Sequence, residues 1–331
     1  MKKMRILIFL LFAFNIVYGQ NATIKFATLA PDGSTWMTIM KDFSSEIEKL
    51  TNGQVKFKIY PGGVQGDDKD VLRKMRINQL HSAGFTGVGL GEILPEVRIL
   101  DSPFLFRNHE EVDYVSGKFF DRFAKGFEEK GYILLGWAEV GFVYIYTNKP
   151  VHDAGDLKGV KMWMWEGDPL AEATFKAFDV NAIPLSVTDV MTSLQTGLID
   201  GVYISPLACV GFQWFTKVKY VLDVPLANSN GAVLISKKIF EKLSPEQQKI
   251  VRETGIKYFT ELVRLSRRDN QKSIDEMLKY GIKREKIGDP EILSKFEEIG
   301  KKARRDLVGR LYDETLLNDV EAAVLEYRKS K

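Results

Sequence analysis

The stretch KFATLAPDGSTWMTIMKDFSSEIEKLTNGQVKFKIY, residues 25–60, decides the fold class of this chain. It begins with a short apolar segment and a turn rich in Pro, Asp and Gly, after which apolar side chains recur every three or four residues up to Leu50. Such spacing places them on one face of a helix. From Val55 to Ile59 apolar and charged residues alternate, which is typical of a strand with one buried face. The pattern is therefore strand, helix, strand.

The chain beyond this stretch repeats the pattern. A helix predicted from about Asp68 to Leu80 leads into a strand at residues 82–86, so the first part of the chain is predicted to be βαβαβ. Predicted strands and helices between residues 132 and 204 form a second series of this kind. We therefore expect an α/β protein with two lobes and mostly parallel sheets. Such sheets bind ligands at the carboxyl ends of their strands, and two facing lobes create an interdomain cleft.

A single long helix is predicted to follow. Ser244 suits the N-cap, Pro245 suits the first helical position, and Gln247 completes a capping box. No proline interrupts the sequence from there to about Tyr280, which allows a helix of roughly 35 residues and about 50 Å. This length exceeds the diameter of one lobe, so we expect the helix to brace both lobes. The predicted organisation, with hinge strands near residues 141–146 and 228–235, is lobe I at residues 20–141 and 231–270 and lobe II at residues 142–230 and 271–331.

Composition and charge exclude several classes of protein. The 331 residues are 45% hydrophobic and 27% charged, as in an ordinary globular protein, which excludes a disordered or collagen-like chain. The formal net charge is +3, and three basic residues lie among the first five, so the rest of the chain is close to neutral and no nucleic-acid partner is expected. The one cysteine, Cys209, cannot form an internal disulfide, so the core must hold the fold.

Residues 1–19 are typical of a secretory signal peptide. A basic segment at residues 1–5 precedes an apolar run at residues 6–17, and the small Gly19 comes before Gln20, where we expect cleavage. The apolar run has about 12 residues, whereas a membrane-spanning helix needs about 20. We therefore expect an exported, soluble protein, and the periplasm is the predicted location.

No catalytic or cofactor motif is recognisable. The segment GVGLGE, residues 87–92, departs from the G-x-G-x-x-G phosphate-binding pattern because its last position is Glu, so we interpret it as a tight turn near the ligand crevice. Cys209 and the three histidines lack partners at the spacing of nucleophilic or metal sites. We therefore predict a binding protein without enzymatic activity, cofactor or metal.

Aromatic and polar side chains instead lie at the ends of two predicted strands. Trp163 and Trp165 are two residues apart on a strand, so their side chains point to one face, and that strand leads directly into Glu166. Tyr203 and Ser205 end a later strand in the same way. Crevice residues occupy such positions in open α/β sheets. The alternative is that the tryptophans belong to the core of a lobe and that the other two are ordinary strand-end residues.

Several segments resemble the solute-binding proteins of TRAP transporters, of the DctP type. The resemblance extends in order over nearly the whole chain after the signal peptide, and the segment LQTGLIDG carries most of its specificity. It implies a periplasmic receptor with two α/β domains that close on a small organic acid and deliver it to the membrane permease subunits of a sodium-driven transporter. The matching segments include YPGG (60–63), LDSPFLF (100–106), NKPV (148–151), DLKGVK (156–161) and LQTGLIDG (194–201).

The sequence departs from that family at the positions that hold the ligand. Where the family has an arginine that grips the ligand carboxylate, this chain has Trp163, and Val143 replaces a second arginine. A desolvated carboxylate without a guanidinium partner costs roughly 3 kcal/mol or more, so a dicarboxylate bound in the usual way is not expected. The predicted ligand-binding residues, from family positions and strand ends together, are Leu29, Asp68, Phe85, Thr86, Val143, Trp163, Trp165, Glu166, Tyr203 and Ser205.

Two classes of ligand remain open. The favoured class is an aromatic or apolar monocarboxylate that stacks on Trp163 and Trp165, with its carboxylate held by Tyr203, Ser205, Thr86 and backbone N–H groups. The other class is an amine or quaternary ammonium held by cation–π attraction. A periplasmic sensor component and an exported hydrolase remain alternative functions, and the receptor is expected to be a monomer. The aromatic cage of the second class would consist of Trp163, Trp165, Tyr203 and Glu166.

Overall fold

The computed structural model describes residues 21–331, so the predicted signal peptide lies outside the described residues. Within that range no helix is long and apolar enough to span a membrane. The strands are β1 (Ala22–Thr28), β2 (Val55–Tyr60), β3 (Ser82–Thr86), β4 (Tyr132–Trp137), β5 (Gly141–Thr147), β6 (Trp163–Trp165), β7 (Ile183–Leu185), β8 (Gly201–Ile204), β9 (Tyr220–Leu222), β10 (Ala227–Ser229), β11 (Gly231–Ser236) and β12 (Lys283–Glu285). The α-helices are α1 (Thr35–Leu50), α2 (Asp68–Arg76), α3 (Gly87–Gly91), α4 (His109–Lys118), α5 (Phe120–Glu129), α6 (Pro169–Ala177), α7 (Val190–Thr196), α8 (Pro206–Gly211), α9 (Lys237–Phe240), α10 (Pro245–Tyr280), α11 (Pro290–Asp306) and α12 (Glu314–Lys329). Short 3₁₀ helices cover Pro95–Asp101, Ala154–Gly159, Val187–Asp189 and Trp214–Lys217.

Lobe I is built on a five-stranded sheet in the order β2-β1-β3-β11-β4. β1 is parallel to β2 and β3, as the strand, helix, strand pattern predicts, whereas β11 is antiparallel to both of its neighbours. The sheet is therefore mixed rather than mostly parallel. Phe26 and Ala27 of β1 point to opposite faces and both are buried, because α1 and α10 cover one face and α4, α5 and α12 the other.

Lobe II has a smaller and less regular sheet. Its strands follow the order β10-β5-β9-β12, and β8 pairs antiparallel with β5. β6 and β7 form a separate parallel pair joined through α6, as the predicted βαβ unit requires. The strand predicted to carry Trp163 and Trp165 is short, because only Trp163–Trp165 pairs with β7 while Met162 makes an isolated bridge to Gly201. That bridge places the start of β6 beside the start of β8.

The long helix is confirmed. α10 has 36 residues, and Ser244 caps it in a capping box with Gln247. It ends at Gly281, whose φ of 114° is a left-handed value that suits glycine. α10 contacts α1 and β4 of lobe I and α8 of lobe II, so it braces both lobes as predicted.

The C-terminal helices divide between the lobes, which differs from the predicted boundary. α11 packs on α6 of lobe II. α12 packs instead on α4 of lobe I, because Leu316, Val320 and Val324 on its apolar face complete the lobe I core. The segment predicted as lobe II, residues 271–331, therefore ends in a helix of lobe I.

Two of the crossings between the lobes lie side by side. One lies just before the hinge strand predicted near residues 141–146, and the other lies within the one predicted near residues 228–235. The Ala138 N–H donates to the Gly231 carbonyl (2.7 Å), and the Val140 N–H donates to the Ser229 carbonyl (3.0 Å). The two crossings are thus paired with each other. Such a short, paired connection is suited to a rotation of one lobe against the other.

α10 is tied to this hinge through Asn270. Its side-chain amide donates to the Val140 carbonyl (2.8 Å), and its oxygen accepts from the Leu207 N–H of α8 (2.9 Å). Gly141 allows this approach, because a Cβ there would lie within 2.4 Å of the Asn270 amide nitrogen and its φ of 113° disfavours other residues. The bracing helix therefore contacts both the hinge and lobe II.

Candidate ligand-binding site

A cavity of about 620 Å³ lies between the two lobes. Lobe I contributes the carboxyl ends of β1 and β3, lobe II contributes β6 and β8, and β10 with one side of α10 completes the walls. Of the 46 lining residues, 24 are apolar or aromatic and 18 have polar or charged side chains. This composition is typical of sites for small organic molecules.

Eight of the ten predicted residues line this cavity. Asp68 and Glu166 do not: Asp68 is buried behind Thr86, and Glu166 is exposed to solvent. The eight that line it are Leu29, Phe85, Thr86, Val143, Trp163, Trp165, Tyr203 and Ser205.

Asp68 positions the polar part of the lobe I wall. One of its carboxylate oxygens accepts the Thr86 N–H (2.9 Å), the Thr86 hydroxyl (2.6 Å) and the Gly89 N–H (3.2 Å). Burial raises the pKa of Asp68 to about 6, even though these hydrogen bonds favour its charged form. The sequence predicted that Asp68 contacts the ligand. In the structure it instead lies behind Thr86 and supports that residue.

Residues 87–91 form the short helix α3 rather than the predicted tight turn. The glycines of α3 have no side chain, so Phe85 and Asp101 can approach the helix backbone closely. A Cβ at Gly89 would lie 2.4 Å from the Phe85 ring, and a Cβ at Gly87 would overlap the Asp101 carboxylate. This run of glycines therefore makes room for two residues that line the cavity.

Trp163 lines the cavity but is part of a buried core cluster of lobe II. It is 1% exposed, its ring stacks on Tyr203 with centroids 5.0 Å apart, and Trp214 packs against it edge-on at 5.3 Å. Its indole N–H donates to the Leu185 carbonyl (3.0 Å). The structure therefore does not support the predicted stacking of a ligand on Trp163, because Tyr203 already covers that face.

Trp165 and Tyr203 present polar atoms near this stack. Trp165 is 8% exposed, and its indole N–H has no hydrogen-bond partner among residues 21–331. The Tyr203 hydroxyl accepts from the Trp165 backbone N–H (3.4 Å), and burial next to the Asp168 carboxylate raises the pKa of that hydroxyl. The predicted aromatic cage is not formed, because Trp163 and Tyr203 pack face to face and Glu166 lies outside the lining.

A buried ion cluster, which sequence reasoning missed, bridges the lobes at the cavity wall. Arg98 of lobe I lies 3.0 Å from Asp101 and 3.0 Å from Asp168, the N-cap of α6 in lobe II. All three are at least 94% buried. Burial raises the pKa of Asp101 to about 6, although Arg98 opposes this shift. The sequence offered one signal for this cluster, because Arg98 lies three residues before Asp101 within an apolar segment. The partner from lobe II, Asp168, could be found only from the tertiary structure.

The remaining charges of the lining are mostly paired. Six carboxylates and two cations, Arg98 and Lys272, line the cavity. Asp32 contacts Lys41, and the other pairs lie next to the hinge and α10. Arg98 forms ion pairs with two aspartates, which offset its charge. The remaining contacts are Glu139 with Arg267 (2.6 Å), Asp269 with Arg268 (2.9 Å) and Asp269 with Lys272 (3.7 Å).

Unpaired polar atoms are concentrated on β10 and its surroundings. Asn228 is 1% exposed, and neither its amide nitrogen nor its amide oxygen has a hydrogen-bond partner among residues 21–331. The Ser266 hydroxyl of α10 is likewise unpaired within that range. Both residues line the cavity. Sequence reasoning missed Asn228 because nothing in its neighbourhood distinguishes it from a hinge-strand residue.

The lobes touch at the rim of the cavity as well as at its wall. The Lys69 ammonium group of lobe I donates to the Glu166 carbonyl of lobe II (2.8 Å), and the Ser186 hydroxyl of lobe II donates to Asp67 of lobe I (3.3 Å). Together with the Arg98–Asp168 pair, these contacts define a closed arrangement. Two lobes that close over an interlobe cavity through a paired hinge are the architecture of a solute-binding receptor.

The chain belongs to the DctP family, described as bacterial extracellular solute-binding protein, family 7, whose model matches residues 26–308. It is 31% identical to a solute-binding protein of Verminephrobacter eiseniae over 62% of each chain. It is 28% identical to the 2,3-diketo-L-gulonate-binding periplasmic protein YiaO of Escherichia coli, over 85% of this chain and 82% of that protein. This is a family of solute-binding proteins, not of enzymes.

The fold is that of a solved TRAP periplasmic solute-binding protein of Ochrobactrum anthropi. The two are 25% identical and superpose with a TM-score of 0.82, over 94% of this chain and 97% of the other. In that crystal structure the C-terminus is bound in the ligand-binding pocket. The expected two-lobed α/β architecture and the predicted membership of the TRAP-type receptors are both confirmed.

Proposed function

We propose that this chain is the extracytoplasmic receptor of a TRAP-type transporter and that its ligand is a small organic acid with an apolar or aromatic body. The observation that carries the proposal is the largely apolar cavity between two lobes joined by a paired hinge. A receptor of this design holds its ligand by closing both lobes around it. It would act as a monomer in the periplasm and deliver the ligand to membrane permease subunits.

An acid is compatible with the charges of the cavity. Five of the six lining carboxylates contact a lysine or arginine, so a carboxylate ligand meets little unscreened negative charge. Neutral donors such as the Trp165 indole N–H take the place of the family's guanidinium. The Escherichia coli relative is named for a sugar acid. That name supports an acid, whereas the apolar or aromatic body is inferred from the lining alone.

An amine is the second candidate, and the excess of carboxylates in the lining favours it. Glu276 has no lysine or arginine within ion-pair distance in the described part of the chain. An ammonium group near Glu276 would gain an ion pair that no acid could form. The two candidates therefore predict opposite responses to a change of charge in the cavity.

Ligand identity is tested with the mature protein and a panel of aromatic and aliphatic acids and amines. A ligand at about 100 times its Kd should raise the free energy of unfolding by about 2.7 kcal/mol, which a thermal-shift assay detects. Small-angle scattering should show a smaller radius of gyration with ligand than without it, because the lobes close. A ligand that binds without changing the radius of gyration would contradict closure, and a panel without any binder would contradict the proposed ligand class.

The sign of the ligand charge is tested by Val143→Arg, with Leu198→Arg as control. Val143 is buried and lines the cavity, whereas Leu198 is 49% exposed and does not. If the ligand is an acid, Val143→Arg should tighten binding of simple carboxylates and Leu198→Arg should leave it unchanged, as calorimetry would show. Weaker binding of acids in Val143→Arg, together with binding of amines by the parent, would support the second candidate.

A further inference from the structure

Asn228 is unusual among the buried polar residues of this protein. It sits at the centre of β10, where its backbone pairs with Phe142 of β5, and its side chain lines the cavity. Neither polar atom of its amide has a partner in residues 21–331, although the residue is 99% buried. Buried amides are normally hydrogen-bonded, and one that offers both a donor and an acceptor without partners needs an explanation.

We infer that Asn228 is the residue that selects the ligand's polar end, through a group that carries an O–H or N–H donor beside a carboxylate or carbonyl oxygen. The amide N–H donates to the ligand oxygen, and the amide oxygen accepts from the neighbouring donor. A 2-hydroxy acid meets this requirement, and so does a lactam. This inference rests on the proposed function and specifies the polar end of that ligand.

The chemistry of the alternatives supports this choice. A simple carboxylate only accepts hydrogen bonds, so it would leave the amide oxygen of Asn228 unpaired. An ammonium group only donates, so it would leave the amide N–H unpaired. A site built to hydrogen-bond a particular group discriminates strongly against ligands that lack it, because the site's own groups then stay buried and unpaired. Trp165 provides a second donor, since its indole N–H is also buried and unpaired among the described residues.

The test uses three probes that share one apolar body: 3-phenyllactate, 3-phenylpropanoate and 2-phenylethylamine. Calorimetry on the parent should show 3-phenyllactate binding at least 10-fold more tightly than 3-phenylpropanoate, and no binding of the amine. Asn228→Leu should weaken the binding of 3-phenyllactate by about 10- to 100-fold. The ratio of its affinity to that of 3-phenylpropanoate should then be less than about 3-fold.

The same variant separates a binding role from a structural one. Asn228 has no protein partner to lose within the described residues, so Asn228→Leu should melt at or above the temperature of the parent. Asn228→Ala serves as a second variant if leucine is not accommodated. Asn230→Ala is the matched control: Asn230 is also buried on the hinge segment but does not line the cavity, and its binding profile should be that of the parent.

The outcomes are distinguishable from those of the proposed function. Equal affinity of the two acids in the parent, or an unchanged profile in both Asn228 variants, would overturn the role of Asn228 while leaving an acid receptor in place. Binding of the amine alone would overturn both the acid and the inference. If none of the three probes binds, both the proposed apolar or aromatic body of the ligand and the role inferred for Asn228 are contradicted.

Discussion

The two walls of the cavity differ in how their polar groups are satisfied. On the lobe I wall, Thr86 is fully engaged by the buried Asp68 behind it. On the lobe II side, Trp165 and Asn228 present donors and an acceptor that no described residue satisfies. An unsatisfied polar group is costly in the protein alone and favourable once a ligand pairs with it. We therefore predict that Thr86 presents a fixed surface to the ligand and that Trp165 and Asn228 contribute to selectivity.

The largest expected effect tests whether the stacked aromatic core of lobe II is structural. Trp163→Ala removes a fully buried ring that packs on Tyr203 and Trp214, so the free energy of unfolding should fall by about 3–5 kcal/mol. Denaturant titration measures this loss. Trp165→Ala is the comparison variant. It should lower the free energy of unfolding less than Trp163→Ala does and weaken ligand binding more, because the Trp165 indole N–H is unpaired in the described structure. A Trp163→Ala protein as stable as the parent would contradict a structural role for Trp163 in the core of lobe II.

The next largest effect is a pH dependence of stability, which we expect from two buried aspartates, Asp68 and Asp101. Burial raises the pKa of Asp68 and of Asp101 to about 6, above the usual value for a free aspartate. Between about pH 4 and pH 6 the folded state therefore keeps protons that the unfolded state has released. Stability should accordingly fall as the pH rises through this window, by up to about 3 kcal/mol for each group.

Asp68→Asn isolates one of these two contributions. The variant cannot ionise at this position, so its decline in stability between pH 4 and pH 6 should be about half that of the parent in denaturant titrations at each pH. Asp121→Asn, which alters an exposed carboxylate on α5, should retain the parent's profile. An undiminished decline in Asp68→Asn would show that another group is responsible.

The smallest expected effect tests the contact that joins the two walls at the rim. Lys69→Ala removes the bond to the Glu166 carbonyl across the cleft, but the lysine is partly exposed, so the loss should be below about 1 kcal/mol. Binding should weaken by no more than about 5-fold, and the unliganded protein should have a slightly larger radius of gyration. Lys74→Ala, on the same helix but bonded to Gln65 within lobe I, should leave both quantities unchanged. An equal effect of the two substitutions would argue against a role for the rim in closure.

The sequence by itself determined the elements that depend on local pattern. The 3.6-residue spacing behind residues 25–29 predicted α1, the capping box at Ser244 predicted the start of α10, and the absence of proline predicted its length. Strand ends and the resemblance to TRAP receptors together supplied ten candidate lining residues, because strand ends that face a cleft are recognisable by position. Eight of the residues chosen in this way line the cavity.

Only the tertiary structure decided what each of these residues does. The sequence predicted ligand contacts for both Asp68 and Trp163. Asp68 instead lies behind Thr86, and Trp163, although it lines the cavity, is almost fully buried against Tyr203. Asp168 acquires its role from Arg98, 70 residues away, and Asn228 acquires its role from having no partner in the described chain. Local pattern records periodicity and turn chemistry, whereas pairing and burial depend on which distant segments meet.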